Sequence, residues 1–162
     1  MAAAARVLLM LIAANSAAWL AGRLHSQRSP APLDFGLTAW DGQRLLGGHK
    51  TWRGFVSGVA ACAMVGWLCG LGWWAGTAFG ALSLLGDAFS SAVKRRLRRP
   101  PGADVPLLDQ LPEALLPLLF LGSHLALGML QAAVAVAAFL GLDLLVTRRW
   151  FATRRHLGER DS

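Results

Sequence analysis

The sequence is poor in charge. Only 15% of its 162 residues are Asp, Glu, Lys or Arg, whereas a soluble domain of this size carries about 25%. Hydrophobic residues make up 55% of the chain, and the mean hydropathy is +0.46. This composition argues against an ordinary soluble domain and predicts a protein that lies in a lipid bilayer.

Cysteine is scarce, and internal repeats are absent. The two cysteines, Cys62 and Cys69, lie seven residues apart in one apolar segment. They fall near one face of one helix and therefore cannot bridge to each other; both are expected to be buried thiols. No cysteine spacing typical of a metal site is present.

Long apolar blocks separated by polar segments dominate what remains. Because a membrane-spanning helix needs ~20 apolar residues, the pattern predicts an all-α integral membrane protein with five transmembrane helices. The predicted spans are 3–24, 54–73, 74–93, 109–126 and 128–147. The chain 1–162 is then a single membrane domain with a basic tail at 148–162, and its second and third spans turn at the interfacial pair Trp73-Trp74.

Basic residues fall almost entirely on one side of this topology. That side receives Arg23, Arg28, Arg44, Lys50, Arg53, Lys94, Arg95, Arg96, Arg98, Arg99, Arg148, Arg149, Arg154, Arg155 and Arg160, and the other receives Arg6 alone. The positive-inside rule makes the basic side cytoplasmic, with the N-terminus outside and the C-terminus inside. A plasma-membrane protein whose cytoplasmic loops form a polar site is expected. The first segment also has the outline of a signal peptide, but its cleavage would put the basic loops outside, against that rule.

Two carboxylates flank a basic cluster at the predicted membrane edge. Asp87 precedes Ser90 or Ser91 and Lys94 on one helix face, and Asp109 opens the next span after a short loop. A carboxylate without a function at such a depth in the membrane costs ~2.5–3.5 kcal/mol of insertion free energy. Magnesium binds one or two carboxylates together with phosphate oxygens. The arrangement predicts a magnesium-dependent site that acts on phosphates. The structural alternatives are an ion pair of Asp87 with Arg95 or a neighbour, and a helix-N-terminal acid at Asp109.

A second cluster reads Gly-Gly-His-Lys-Thr-Trp-Arg-Gly over residues 47–54. Lys50 and Arg53 supply positive charge, and Gly54 is expected to begin a helix whose amides favour anions. The Walker spacing is absent, so a basic flank of the membrane explains the cluster equally well. Asp34 and Asp41 are expected to form turns, and Asp143 is expected to pair with an arginine.

These motifs together resemble the CDP-archaeol synthases, a family related to the CDP-diacylglycerol synthases (phosphatidate cytidylyltransferases). The resemblance covers roughly residues 10–147. It rests on Gly86-Asp87-x-x-x-Ser91-x-x-Lys94-Arg95-Arg96, on Pro106-x-x-Asp109-Gln110, and on the loop segments Pro32-Leu33-Asp34-Phe35-Gly36, Asp41-Gly42-Gln43-Arg44-Leu45-Leu46-Gly47 and Lys50-Thr51-Trp52-Arg53-Gly54. Gln110, where the diacylglycerol branch has arginine, favours the archaeol-like subgroup.

The resemblance implies a membrane cytidylyltransferase that uses CTP and Mg²⁺ to convert a membrane lipid phosphate into a CDP-lipid and pyrophosphate. It implies magnesium ligands Asp87 and Asp109, a catalytic Lys94, and substrate-binding Lys50, Arg53, Ser91, Arg95, Arg96 and Gln110. The lipid is left open between an archaeol-type ether lipid and phosphatidic acid or another lipid phosphate. No nucleic-acid partner is expected, and the oligomeric state is open, a homodimer included.

Two other functions fit the residues less well. A lipid-phosphate-binding membrane protein that has lost catalysis would keep the fold but show no magnesium-dependent affinity for CTP. A transporter of small anions fits the intramembrane acids poorly, and the sequence lacks the repeat symmetry typical of such proteins.

Overall fold

The computed structural model describes residues 2–24, 31–99 and 105–158, and this part of the chain contains five α-helices. They are α1 (Ala2–Leu24), α2 (Trp52–Leu68), α3 (Trp73–Arg96), α4 (Pro106–Leu121) and α5 (Met129–Gly158). The prediction of an all-α protein with five helices in this order is confirmed.

The turn between α2 and α3 lies earlier than predicted. Helix α2 ends at Leu68 rather than near residue 73, and the chain reverses over residues 69–72. Gly70 and Gly72 have φ of 74° and 87°, a conformation that glycine adopts without steric cost. The prediction of a turn at Trp73-Trp74 was therefore wrong, because these tryptophans already form the first turn of α3.

The two helices on the C-terminal side also differ from their predicted bounds. Pro106 opens α4 at a position where its missing N–H costs no hydrogen bond. Helix α5 runs to Gly158, so residues 148–158 continue a helix instead of forming a separate tail. No glycine or proline interrupts the sequence between Gly141 and Gly158. The predicted loop at 100–104, together with Arg28 and Arg160, lies outside the described residues.

Helix length and apolarity single out α1. Among the described residues, Ala3–Leu24 is the one helix both long and apolar enough to cross a bilayer. Trp52–Leu68 and Met129–Leu145 are apolar but shorter. The count of five spans thus stays a prediction.

The core lies where α1 meets the other helices. Helix α2 packs against α1 and α3, α3 packs against α4, and α5 contacts α1 and α4. The buried core residues are Val7, Met10, Leu11, Ala14, Cys62, Phe79, Ala114, Leu121, Leu125, Ala135 and Phe139. Cys62 and Cys69 are both free thiols; Cys62 is buried as predicted, whereas Cys69 is only partly buried and follows the last residue of α2.

Glycine brings helix backbones into direct contact at several places, of which the α2–α3 and α3–α4 crossings are two. A Cβ on Gly76 would lie 2.5 Å from the carbonyl oxygen of Cys62 in α2. A Cβ on Gly86 would lie 2.3 Å from the carbonyl oxygen of Pro112 in α4. Both separations are shorter than real Cβ atoms tolerate, so each crossing requires glycine. The crossing at Gly86 matters for the site, because Asp87 is the next residue.

Candidate active site

Asp34 organises the loop between α1 and α2. Its side chain is fully buried. Oδ1 accepts hydrogen bonds from Gly36 N and Arg44 Nη2, and Oδ2 accepts one from Leu46 N, all at 3.0 Å. Burial alone would raise the pKa of Asp34, but these hydrogen bonds and the Arg44 charge hold it below its usual value.

Asp41 stabilises a turn in the same loop. Its Oδ1 accepts a hydrogen bond from Gln43 N at 3.0 Å, so both loop acids form turns as predicted. Two isolated antiparallel bridges, Pro32 with Thr51 and Thr38 with Arg44, hold the loop together. The loop is an ordered structure that carries Lys50 toward α3.

Helix α2 begins directly after Lys50. Thr51 is its N-cap, and its Oγ1 accepts a hydrogen bond from Gly54 N at 3.2 Å. The helix therefore starts at Trp52 and not at Gly54. The Gly54 amide belongs to this cap, so it is already hydrogen-bonded within the protein.

Each of the two predicted carboxylates holds a lysine. Lys50 pairs with Asp87 Oδ2, and Lys94 Nζ lies 2.6 Å from Asp109 Oδ1. The four side chains are 10–21% exposed. The ion-pair interpretation of Asp87 was correct in kind, although the partner comes from the loop and is not Arg95. Asp109 also acts as a helix-N-terminal acid, since its Oδ2 accepts a hydrogen bond from Val105 N at 3.1 Å.

The donor set fits a metal that is shared with a substrate. The described residues contain no group of three or more His, Cys, Asp or Glu side chains able to hold a metal ion. Two carboxylates on the adjacent helices α3 and α4 suffice for Mg²⁺ when phosphate oxygens and water complete its shell. Asp109 Oδ1 is buried and, beyond its lysine, makes no hydrogen bond to the described residues.

Ser91 and Gln110, two of the predicted substrate-binding residues, lie close to these acids in sequence, and a third, Arg53, lies close to Lys50. Arg53, in the first turn of α2, has a buried Nη1 without a hydrogen-bond partner among the described residues. The Ser91 hydroxyl donates to the Asp87 carbonyl oxygen at 3.0 Å. Gln110 is buried and donates from its amide to the carboxylate of Asp143, which was expected beside an arginine.

Arg96 binds the loop between α1 and α2. Its guanidinium donates to Asp41 Oδ1 at 2.8 Å and to the Arg44 carbonyl oxygen at 3.0 Å. It also lies over the ring of Trp40. In this structure Arg96 fastens α3 to the loop.

A basic cavity lies beside the ion pairs. It has a volume of about 520 Å³ and lies between the loop and the end of α3. Four arginines and a histidine line it: Arg44, His49, Arg95, Arg98 and Arg99. Partial burial and the Lys50 charge lower the pKa of His49. Of these lining residues, only Arg95 was predicted from the sequence to belong to the site.

A buried polar cluster lies between the helices. Glu113 is 4% exposed, and its Oε1 accepts hydrogen bonds from the Asn15 amide and, at 3.4 Å, from the Ser83 hydroxyl. Sequence reasoning missed this cluster because its members belong to three different helices. The one signal for this cluster in the sequence was the presence of polar residues in otherwise apolar segments.

A helical bundle with glycine-mediated crossings, acid–lysine pairs and a basic cavity is typical of a membrane enzyme that handles phosphates. The model of the CarS-like CDP-archaeol synthase family matches residues 5–73. A solved structure, of an intramembrane enzyme for archaeal membrane lipid biosynthesis, aligns with a TM-score of 0.73 and 34% identity, over 88% of this chain and 90% of the other.

Three CDP-archaeol synthases show the relationship in sequence. The one from Pyrobaculum calidifontis is 37% identical over 76% of this chain and 77% of its own length. Those from Thermofilum pendens and Methanopyrus kandleri are 39% and 50% identical, over 72% and 49% of this chain. The matched region spans only 59% and 50% of the length of these last two relatives. The chain belongs to the CDP-archaeol synthase family and is an integral membrane protein, as the resemblance of its motifs implied.

Proposed function

We propose that the protein is a CTP-dependent cytidylyltransferase that makes a CDP-lipid from a membrane lipid phosphate. The supporting observation is the pair of carboxylates, Asp87 and Asp109, on adjacent helices, each held by a lysine. Family membership supports the same reaction, because the relatives are CDP-archaeol synthases. It favours this enzyme over a protein that has lost catalysis.

The reaction is a phosphoryl-type transfer. An oxygen of the lipid phosphate attacks the α-phosphorus of CTP, and a new P–O bond forms. The bond from the α-phosphorus to the bridging oxygen breaks, and pyrophosphate leaves with its electron pair. Because negative charge builds on the leaving group, positively charged side chains stabilise the transition state. Lys94 and Lys50 are the cations nearest the two acids.

We propose that Asp87 and Asp109 hold Mg²⁺ together with the substrate phosphates. The metal would neutralise phosphate charge and align the attacking and leaving oxygens. In the structure each carboxylate binds an ammonium group. Lys50 and Lys94 would leave the carboxylates and donate to phosphate oxygens. The buried Arg53 Nη1, which has no hydrogen-bond partner among the described residues, fits the same role.

The remaining proposed roles belong to residues around the acids. Arg95 and Arg96 would bind phosphates, the latter after leaving Asp41. Ser91 retains acceptor capacity beyond its bond to the helix backbone. Gln110 has a buried Oε1 without a hydrogen-bond partner among the described residues, and it would orient a substrate group.

The topology is part of the proposal. We propose that residues 1–162 act as one membrane unit with five spans in the plasma membrane and the site on the cytoplasmic face. The concentration of basic residues on the corresponding loops supports this orientation. CTP and a membrane lipid phosphate are the partners, without nucleic acid, and a homodimer is consistent with the proposal. The lipid is an archaeol-type ether lipid, phosphatidic acid or another lipid phosphate.

The test uses the purified full chain in detergent with radiolabelled CTP, MgCl₂ and a panel of lipid phosphates. We expect a labelled CDP-lipid and one pyrophosphate per turnover. Asp87→Asn and Asp109→Asn should each abolish turnover while keeping the helical circular dichroism and the thermal transition. Turnover by either variant would remove its metal role. A protein that forms no product and has no magnesium-dependent affinity for CTP would be a binding protein instead.

A further inference from the structure

The loop between α1 and α2 has its polarity reversed relative to a loop in water. The side chain of Asp34 is fully buried, whereas Phe35 is 72% exposed, Leu37 60% and Trp40 91%. A loop in water normally turns its charged groups outward and its large apolar groups inward. Three large apolar side chains exposed over residues 35–40 form a patch, and such a patch marks a surface that meets a partner or a membrane.

An ordered hairpin carries this patch. Leu45 N donates a hydrogen bond to the Leu37 carbonyl oxygen at 2.9 Å, and the turn is closed by a bond from Gly42 N to the Ala39 carbonyl oxygen at 3.0 Å. Leu37 and Leu45 lie opposite each other, so their side chains share one face of the hairpin. Trp40 lies in the turn. The exposed apolar side chains together form the apolar loop face: Phe35, Leu37, Trp40 and Leu45.

The packing of α1 against α2 gives the level at which the loop leaves the helices. A Cβ on Gly54 would lie 3.3 Å from the carbonyl oxygen of Ala18, and a Cβ on Gly58 would lie 2.6 Å from that of Ala14. The two helices therefore run antiparallel, and position 18 of α1 lies level with position 54 of α2.

Two exposed tryptophans lie at this level. Trp19 follows Ala18 in α1, and Trp52 precedes Gly54 by two residues at the start of α2. At a rise of about 1.5 Å per residue, they lie within about 5 Å of each other along the helix direction. Both side chains are exposed, and tryptophan favours the membrane–water interface. This level is therefore where the interface on the loop side of the bilayer is expected.

Aromatic contacts connect the loop to the same level. The ring centroid of Phe35 lies 5.8 Å from that of Trp52, which lies 6.0 Å from that of Phe55. Val56, one turn beyond Trp52 on the same side of α2, is also exposed. The exposed apolar surface thus continues from α2 through Trp52 to Phe35, so the loop begins at the interface.

The arginines beside the loop favour a lipid surface over a second copy of the chain. The guanidinium of Arg96 lies 5.4 Å from the ring centroid of Trp40, as that of Arg23 lies 4.4 Å from the ring of Trp19. An arginine beside an interfacial tryptophan can keep its stem in apolar contact and bring its charge to lipid phosphates. A symmetric dimer built on the apolar loop face would instead bring the arginines of two copies toward each other.

We propose that the apolar loop face inserts into the interfacial layer of the lipid bilayer, so that the loop between α1 and α2 is a membrane-bound hairpin. The partner is the lipid surface: its apolar part contacts Phe35, Leu37 and Trp40, and its anionic head groups attract the neighbouring arginines. The hairpin then fixes the height of the loop, and with it Lys50, relative to the membrane. The proposal requires α1 and α2 to lie in the bilayer and is independent of the reaction.

The experiment measures where Trp40 lies when the full chain is in nanodiscs of phosphatidylcholine and phosphatidylglycerol. The signal of Trp40 is the tryptophan emission of the wild type minus that of Trp40→Phe, a variant that keeps an aromatic ring. Two quenchers are compared: a brominated phospholipid in the bilayer and acrylamide in the water. Trp67→Phe gives the same difference for Trp67, which is exposed near the other end of α2 and serves as the reference for a side chain in contact with lipid.

A double variant, Phe35→Asn with Leu37→Gln, tests whether the hairpin binds the bilayer as a unit. Asn is chosen because Phe35 has φ of 49°, a conformation that Asn tolerates. The control is Leu68→Gln, which removes an exposed apolar side chain from the last residue of α2. Each is prepared with and without Trp40→Phe, and circular dichroism and thermal unfolding check that it is folded.

We expect the brominated lipid to quench Trp40 at least about half as strongly as Trp67, and acrylamide to quench it weakly. The double variant should lose about half or more of the lipid quenching of Trp40 and become more sensitive to acrylamide. Leu68→Gln should leave the signal of Trp40 unchanged.

Three results would overturn the proposal. Strong quenching by acrylamide without quenching by lipid would place Trp40 in water. Lipid quenching that the double variant leaves unchanged would show that the hairpin does not bind as a unit. Protection of Trp40 from both quenchers, in a dimer that the double variant converts into a monomer by light scattering, would assign the face to a second copy. CDP-lipid formation enters none of these measurements, so failure of the proposed function leaves their outcome unaffected.

Discussion

Gly86→Ala tests how the fold positions the two carboxylates. The new Cβ would lie 2.3 Å from the carbonyl oxygen of Pro112 and 2.7 Å from the Cα of Glu113. These are backbone atoms of α4, which cannot rotate away as a side chain could. An ordinary contact begins at 3.4 Å, so α3 and α4 must separate by about 1 Å.

Two consequences follow from this separation. Overpacking of a close helix crossing costs about 1–3 kcal/mol, and the variant should unfold at a lower temperature. The displacement also moves Asp87 relative to Asp109, because each carboxylate belongs to one of the two helices. A misplacement of about 1 Å can reduce turnover by roughly 100-fold. We therefore expect CDP-lipid formation per folded molecule to fall by about 10–100-fold.

Two controls make the result interpretable. Gly141→Ala adds a methyl group with nothing within 4 Å and should keep or slightly raise stability. Gly76→Ala meets Cys62 O at 2.5 Å, so it should destabilise the α2–α3 crossing and affect turnover per folded molecule less. Thermal unfolding and turnover are measured on the same preparations. If Gly86→Ala matches Gly141→Ala in both, the close crossing does not position the acids.

Two further predictions concern charge. Lys50→Met leaves Asp87 without its ammonium partner, so Mn²⁺ alone, followed by electron paramagnetic resonance, should bind about tenfold more tightly than to the wild type; unchanged Mn²⁺ affinity would contradict the exchange of lysine for metal at this carboxylate. Asp34 has a lowered pKa in the folded protein, so its contribution to stability is present above its unfolded pKa and lost as pH falls through the lower, folded pKa. The melting temperature of the wild type should consequently drop more between pH 5 and pH 3 than that of Asp34→Asn, and equal slopes would contradict this role of Asp34.

The number of helices could be predicted from the sequence, because the length of each apolar segment is a local property of the chain. The ends of α2 were less predictable, since glycine at 70 and 72 stops the helix through backbone conformation and not through polarity. Trp73 and Trp74 were placed at the turn because aromatic residues favour the membrane interface, but that preference does not distinguish the turn itself from the first helical residues after it.

In the candidate site too, some features could be predicted from the sequence and others could not. Asp87, Lys94 and Asp109 could be recognised because charged residues are rare in or next to apolar segments. Their pairing was not, because Lys50 reaches Asp87 only after the loop has folded around Asp34. The contact of Glu113 with Asn15 joins residues 98 positions apart, and the basic cavity needs both the loop and the end of α3. Side chains that are brought together only by tertiary folding show no characteristic spacing in the sequence, so their contacts could not be predicted from it.

The arrangement of charge bears on how a metal would reach the two carboxylates. The acids and lysines form two neutral pairs, which lowers the cost of keeping four charges only 10–21% exposed. A magnesium–nucleotide complex carries both a cation for the carboxylates and phosphate oxygens for the lysines. Lys50 and Lys94 could therefore exchange a carboxylate for a phosphate without either charge being left unpaired. On this reasoning metal binding should depend on the nucleotide, and the Lys50→Met variant should be the one in which that dependence weakens.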